Sequence, residues 1–437
     1  MTGAATGGGA GSAPSMLLVT HGTDGDVLPF VRLGRTLRER GHEVTLLTHA
    51  PYRSRAEAAG LGFVAIDTPE GYDRYLADSA LLPGARATLT WPDFYRRNGL
   101  FDQLARECRE LADRVGPGRT VLAGRHTSAL SVLILRELLG VPAAWIAVAP
   151  IQPMATAVAR HLHQHVLADG IDEVRATLGL GPVTNWPAWF SSADLHLGLW
   201  PTWFDQAGPP SPRSLRLTGF PTPDEPDAPR NEPLPPEVVA FLRGPERPVL
   251  VTGGTGRMLH AGFYEAAVAG CRLAGRPALL VVPHEELVPR PLPPDVLWAP
   301  RLPFPAVMPE VAAVLHHGGI GTLTRALASG TPQVILAHGA DRPDNAARLA
   351  AKGLAHWLPA TRWSPDEVAR TLTAALKAAP GSAPEAPADG LAAAAEHLES
   401  LLTRPAGRSR VLADLPPEHR RVLAARLRRR LAERGAS

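Results

Sequence analysis

Ala312-Ala313-Val314-Leu315-His316-His317-Gly318-Gly319-Ile320-Gly321-Thr322-Leu323-Thr324-Arg325-Ala326-Leu327 is the stretch from which the fold is read. Its opening apolar run has the composition of a strand buried on both faces, as in a parallel sheet. Two histidines and a glycine-rich turn follow. Leu323, Leu327 and Ala328 then share one helical face, and Gly330 stops the helix. Strand, glycine turn, helix is a place where backbone N–H groups and a helix N-terminus meet an anion. A diphosphate is the guest such a turn suits. Glycines alone are weak support, since any βα turn favours them. An imidazole at the carboxyl end of a strand adds a hydrogen-bond donor, and a purely structural histidine is the competing reading.

Outward from this centre, the chain of 437 residues has room for two or three domains. A formal charge of +3 gives no electrostatic case for nucleic acid. Cys108 and Cys271 stand far apart and form neither a metal spacing nor a disulfide framework, which fits a reducing compartment. Residues 1–15 read as a disordered leader without signal-peptide character. No apolar run is long enough to span a bilayer, so a soluble, cytoplasmic protein is expected.

Met16 to Thr20 reads as a first buried strand, followed by the polar turn His21-Gly22-Thr23-Asp24-Gly25-Asp26-Val27-Leu28-Pro29. Phe30 to Arg40 is helical by period, and Glu43 to Thr48 is a second strand. This βαβ opening predicts a parallel sheet with a ligand crevice at the strands' carboxyl ends, without a dinucleotide fingerprint. Residues 67–100 hold Tyr72, Tyr75, Trp91, Phe94 and Tyr95 in a long irregular segment. Further strands are expected at 120–123 and 143–148, with a helix over 128–139. His161 and His165 could share a helix face, but no third metal ligand follows. Trp186, Trp189, Phe190, Trp200, Trp203 and Phe204 read first as core and interdomain packing, and second as acceptor stacking. Prolines punctuate residues 205–247 and mark a linker. From 248 the rhythm restarts: a strand, the turn Gly253-Gly254-Thr255-Gly256, a helix to about 274 and a strand at 278–282. Strands at 312–316 and 333–336 and a helix over 341–352 complete the second half. The fold class is therefore α/β, two Rossmann-like halves. The expected division is a leader at 1–15, a first domain at 16–220, a linker at 221–247, a second domain at 248–403 and a basic tail helix at 404–437.

His316-His317-Gly318-Gly319 with Gly321-Thr322, then Gly330-Thr331-Pro332, then Asp341-Arg342-Pro343-Asp344-Asn345-Ala346-Ala347-Arg348-Leu349, resembles the nucleotide-sugar site of inverting glycosyltransferases of GT-B architecture. The nearest branch is the bacterial one of sterol, macrolide and glycopeptide glycosyltransferases, and the likeness spans most of residues 16–400. It implies two Rossmann-like doubly wound domains facing a cleft, with the donor on the second and the acceptor on the first. It implies a UDP- or dTDP-sugar donor and a small hydrophobic acceptor, a natural-product aglycone. By the same likeness Thr255, Arg301, Leu302, His316, Gly318, Gly319, Gly321, Thr322, Asp341 and Arg342 bind the donor, with His316 on the diphosphate. Trp91, Phe94, Tyr95 and Trp145 are the corresponding acceptor contacts.

Asp26 occupies the family's general-base slot, three residues before Pro29. A helix N-cap is the plainer reading of the same aspartate. His21, on the same turn, is the alternative base. No obligatory metal or other cofactor is expected, because a helix N-terminus and neutral donors can stabilise the diphosphate. Asp24-Gly25-Asp26 also matches the D-x-D pattern of metal-dependent transferases, but it sits on a βα turn. Three departures stand out. Arg342 replaces a usual glutamine, Arg301 a usual aromatic ring, and Thr324 a glutamate found in plant relatives. A homologue that binds a nucleotide sugar or a partner without turnover, and a GT-B nucleotide-sugar epimerase, are the rival readings. Neither nucleic acid nor firm membrane association is expected, and the chain should be a monomer or homodimer. The arginine-rich tail would pack as a helix on the first domain or lie on a membrane surface.

Overall fold

The computed structural model describes residues 13–82, 88–116, 118–221, 233–255, 261–339, 341–378 and 390–403. The expected tail helix, the leader up to residue 12 and much of the linker lie outside them.

Among the described residues, thirteen strands alternate with helices. In the first half they are β1 (Ser15–Val19), β2 (Glu43–Thr48), β3 (Gly62–Ala65), β4 (Thr120–Arg125), β5 (Ala143–Ala147), β6 (Leu195–Gly198) and β7 (Leu215–Leu217). The second half has β8 (Val249–Thr252), β9 (Ala278–Val281), β10 (Val296–Ala299), β11 (Ala313–His316), β12 (Gln333–Ala337) and β13 (His356–Pro359). They form two sheets, in the orders β3-β2-β1-β4-β5-β6-β7 and β10-β9-β8-β11-β12-β13. Every ladder is parallel; Leu17, for example, lies between Thr45 and Leu122. Both orders reverse direction once, between β1 and β4 and between β8 and β11. Those two switch points are where open α/β sheets leave a crevice for ligands.

Burial explains the strand compositions. Met16 through Val19 and Ala313 through Leu315 are all buried, because helices cover both faces of each sheet. Each such aliphatic side chain contributes about 1.5–3 kcal/mol when fully removed from water. A separate apolar cluster joins the halves, with Trp200, Phe204 and Leu215 from the first against Ile320, Leu323, Ile335 and Leu349 from the second. The packing reading of the 186–204 aromatics thus holds, since Trp186, Trp189 and Phe190 lie in the first-domain core. Arg348, wholly buried, also crosses the interface: it pairs with Asp344 at 2.7 Å and donates to Phe204 O at 3.1 Å and Pro209 O at 2.8 Å.

Two expectations change. The first helix spans Asp24–Glu39, with Thr23 as N-cap, so Asp26 lies inside its first turn and is not the cap. Second, residues 390–403 do not close the second domain. The helix Gly390–Glu399 returns to the first, where Leu391, Ala394, Ala395 and Leu398 join the core around Phe30 and Leu37. Its Glu399 pairs with Arg40 at 2.7 Å and His42 at 2.7 Å. Among the described residues, no helix is long and apolar enough to cross a membrane, and no group of three metal-ligating side chains gathers.

Candidate active site

Two glycine turns face each other across the β8/β11 switch point. The first, Gly253-Gly254-Thr255, follows β8, and its Thr255 carbonyl accepts from His284 Nε2 at 2.9 Å. The second follows β11. Here the structure departs from the expectation for His316, whose ring is held inside the fold. It is completely buried, its Nδ1 accepts from Gly318 N at 3.2 Å, and its Nε2 meets Gln333 Oε1 at 3.1 Å. Both ring nitrogens are spent inside the fold. Burial pushes its pKa down to about 4, with the Gln333 bond opposing, so the ring is neutral.

His317 takes the place between the turns. A methyl group on Gly254 would come within 2.8 Å of its ring, and one on Gly319 within 2.4 Å. Gly254 also has φ +77°, a second reason for glycine there. Buried Nδ1 of His317 has no hydrogen-bond partner among the described residues. Burial, then Arg342 and His316, holds its pKa well below the ordinary range, so this ring is neutral as well.

Gly319 caps the helix Ile320–Ser329. The Thr322 N–H turns inward to Gly319 O at 3.0 Å, so the first-turn N–H groups left to face the crevice are those of Ile320 and Gly321. Asn345 fixes the turn from the far side, donating to Gly318 O at 3.0 Å and to Asp341 Oδ2 at 3.3 Å. Asp341 precedes the helix Arg342–Ala351. Burial raises its carboxyl pKa; Asp26 adds to this, and Arg342 and Arg125 oppose it. Leu302 packs beside Val307 and Met308, whereas Arg301 is exposed.

The first domain offers the other wall. Asp26 Oδ1 pairs with Arg125 Nη2 at 2.7 Å, and its Oδ2 accepts the Thr23 N–H at 3.1 Å. Asp24 is tied to Tyr52 Oη at 2.8 Å and Arg55 at 3.2 Å. The two carboxylates of the D-x-D pattern therefore serve different partners. His21 Nε2 donates to Glu107 Oε1 at 2.7 Å, and its Nδ1 faces Ser128 Oγ at 3.3 Å. Burial pushes Glu107 up, but His21, Gln103 and Ser131 together hold it below the usual carboxylate value. His49 braces the same turn, accepting from Gly22 N at 3.0 Å and donating through Nδ1 to Asp67 at 2.7 Å.

The two walls sense each other. Asp26 of the first domain acts electrostatically on both Asp341 and Arg342 of the second. The expected acceptor aromatics divide. Trp91 is 42% exposed and meets Phe94 at 6.0 Å, which leads on to Tyr75 at 5.5 Å and His49 at 5.2 Å. Tyr95 turns toward Phe101 and the core. Trp145 is fully buried against Phe190 and His126, out of reach of a ligand in this conformation. The helical histidines reduce to a ring contact, His161 to His165 at 4.5 Å. Sequence reasoning missed His317, Arg125, Glu107 and Asn345. His317 and Asn345 stood within the quoted motifs without a role, and Glu107 carried its own local signal, a carboxylate among Leu100, Leu104, Cys108 and Leu111 on one helical stripe.

A family model described as "Glycosyltransferase family 28 N-terminal domain" matches residues 16–93, and one described as "Erythromycin biosynthesis protein CIII-like, C-terminal domain" matches residues 280–394. The O-mycaminosyltylonolide 6-deoxyallosyltransferase of Streptomyces fradiae is 30% identical over 401 residues, covering 82% of this chain and 89% of that protein. Among solved structures, the calicheamicin glycosyltransferase CalG4 superposes with a TM-score of 0.62 at 18% identity, over 90% of this chain and 100% of its own. The spinosyn rhamnosyltransferase SpnG complexed with thymidine diphosphate gives 0.56 at 21% identity, over 92% and 99%. At these identities the structural likenesses speak for the fold.

Proposed function

We propose that this chain, which belongs to the bacterial GT-B glycosyltransferases of the macrolide and glycopeptide branch, moves a sugar from a dTDP- or UDP-sugar to a hydroxyl of a small hydrophobic natural-product aglycone, with inversion and without an obligatory metal. It is a glycosyltransferase; the donor, the stereochemistry and the metal independence are the proposed part. The observation that carries the reading is the pairing of His317 with two glycine turns at the β8/β11 switch point, opposite Asp26. A nucleoside diphosphate bound there would meet the N–H groups of Ile320 and Gly321, the helix N-terminus and the His317 ring.

In the reaction, the acceptor oxygen attacks the anomeric carbon from the face opposite the diphosphate. The bond from that carbon to the β-phosphate oxygen breaks, its electron pair leaves with the nucleoside diphosphate, and the acceptor proton passes to a base. A single displacement inverts the configuration. Asp26 is the proposed base. Its side chain is 22% exposed, and each carboxylate oxygen keeps a lone pair beyond the bonds to Arg125 and Thr23. One observation favours a second reading. Glu107 engages the Nε2–H of His21, which makes Nδ1 the accepting nitrogen, and a weakly held Ser128 hydroxyl faces it.

A thermal-shift series with dTDP- and UDP-sugars tests the donor half, because a bound ligand raises the melting temperature by mass action. Stabilisation by at least one nucleotide sugar in chelator is expected, and none across the series would contradict the donor site. Stabilisation without transfer to any aglycone would indicate the binding-only homologue. Conversion of the sugar nucleotide to its epimer without acceptor would indicate the epimerase.

A further inference from the structure

We propose that Arg342 is the counter-ion of the donor's diphosphate, holding the leaving group's charge through its guanidinium. This rests on the donor site proposed above.

Arg342 opens the helix Arg342–Ala351, and its stem lies against the diphosphate turn. A side chain on Gly318 would come within 3.1 Å of Arg342 O and 3.2 Å of Arg342 Cβ, so the glycine, at φ +94°, lets the start of this helix pack against the turn. The group is half-buried in the cleft. Yet among the described residues it makes one hydrogen bond, from Nη1 to His338 O at 3.2 Å, and no ion pair. A guanidinium has five N–H donors, and sheltering that charge without a partner costs free energy. The neighbouring carboxylates do not supply the partner. Asp341 is engaged by Asn345, and Asp26 by Arg125 and Thr23.

The guanidinium's surroundings define what it would meet. Its charge is felt by His317, between the two glycine turns, and by Tyr264, whose hydroxyl is hydrogen-bonded to the backbone of Gly253. The guanidinium itself lies over Gly339, where an added Cβ would come within 3.6 Å of Nη1, so the cation stands at the carboxyl end of β12, next to the β11 turn proposed to hold the phosphates. As the bond to the anomeric carbon breaks, the leaving diphosphate gains one negative charge. A fixed cation at that point stabilises the transition state more than the ground state. A planar fork of N–H groups also suits phosphate oxygens. In this account the arginine does the charge-neutralising work that a divalent ion performs in metal-dependent transferases.

The test is calorimetric titration of dTDP, UDP, dTMP, UMP and a dTDP- and a UDP-sugar, in chelator, into the parent, Arg342→Gln and Arg342→Lys. Glutamine keeps length and a donor but loses charge. Diphosphate affinity is expected to fall about ten- to a hundred-fold in Arg342→Gln, in line with loss of a charge-assisted bond. Monophosphate affinity should change less than about two-fold, and Arg342→Lys should regain part of the loss. Unchanged melting of the ligand-free variants would show that the fold is intact. If Arg342→Gln binds the diphosphates like the parent, the proposal fails while the donor site stands. It fails equally if only intact nucleotide sugars bind more weakly, since the arginine would then read the sugar. A parent that binds none of the nucleotides overturns the donor site together with this inference.

Discussion

Asp26 and Arg125 form an ion pair across the β1/β4 switch point, Oδ1 to Nη2 at 2.7 Å, with both side chains 22% exposed. The arginine orients the carboxylate while leaving it open to the cleft. Asp26→Asn should therefore lower turnover by about 10²–10⁴, the usual worth of a general base, and leave donor affinity unchanged. His21→Ala and Glu107→Gln should cost less. Initial rates at saturating donor check this. Normal turnover by Asp26→Asn alongside an inactive His21→Ala would hand the base to the His21–Glu107 pair.

On the opposite wall, the two adjacent histidines should behave differently. His317→Ala removes a ring that lies between both glycine turns, and turnover should fall by about 10²–10³, as for the loss of one group that shapes an oxyanion site. His316→Asn should leave kcat near the parent value, because that ring bonds only Gly318 and Gln333. Parallel kinetics on the two variants decide it; the reverse pattern would restore His316 as the diphosphate contact.

His316 should instead be visible in stability against pH. Its folded pKa is about 4, lowered by burial from 6.5. Between those values the unfolded chain takes up a proton that the folded ring refuses, so stability falls as pH falls from about 6.5 to about 4 and this group adds nothing further below. The contribution is on the order of 3 kcal/mol over that window. Urea midpoints at pH 7.5 and 5 should differ less in His316→Asn than in the parent. Equal drops would mean that other groups carry the acid sensitivity.

Of the aromatics expected at the acceptor site, Trp91 is 42% exposed, with Phe94 and Tyr75 behind it. Trp91→Ala should raise the acceptor KM by about three- to ten-fold, the worth of one aromatic contact, with donor KM unchanged. Tyr95→Phe should be silent, because that ring belongs to the core. A Trp91→Ala enzyme with parental acceptor KM would remove this surface from the acceptor site.

The two-domain α/β plan was legible because buried parallel strands announce themselves as short apolar runs ending in glycine turns. β2 spans Glu43–Thr48 as expected, and the four expected second-half strands fall within a residue or two, whereas β10 and β13 were not expected. What was not legible depends on which way a side chain faces. His316 ends β11, and its neighbour turns away, so two identical letters divide into a core residue and a site residue. The partner that captures His316 is Gln333, a polar residue opening the next buried strand. Pro29 drew the expected helix start too late, because proline usually marks a first turn; here it lies one turn further in. Arg125 had no local signature at all, since its pairing with Asp26 exists only once β4 lies beside β1.

The most direct test of the account is transfer itself. The full chain would be incubated in chelator with dTDP- and UDP-sugars and a panel of hydrophobic polyketide and peptide aglycones. Product would be read by mass and by the anomeric coupling, alongside the nucleoside diphosphate released. The account predicts one sugar added per nucleoside diphosphate released, dependent on the acceptor, with inverted anomeric configuration and undiminished in chelator. Transfer that stops in chelator and resumes with Mg²⁺ or Mn²⁺, or a product with retained configuration, would contradict it.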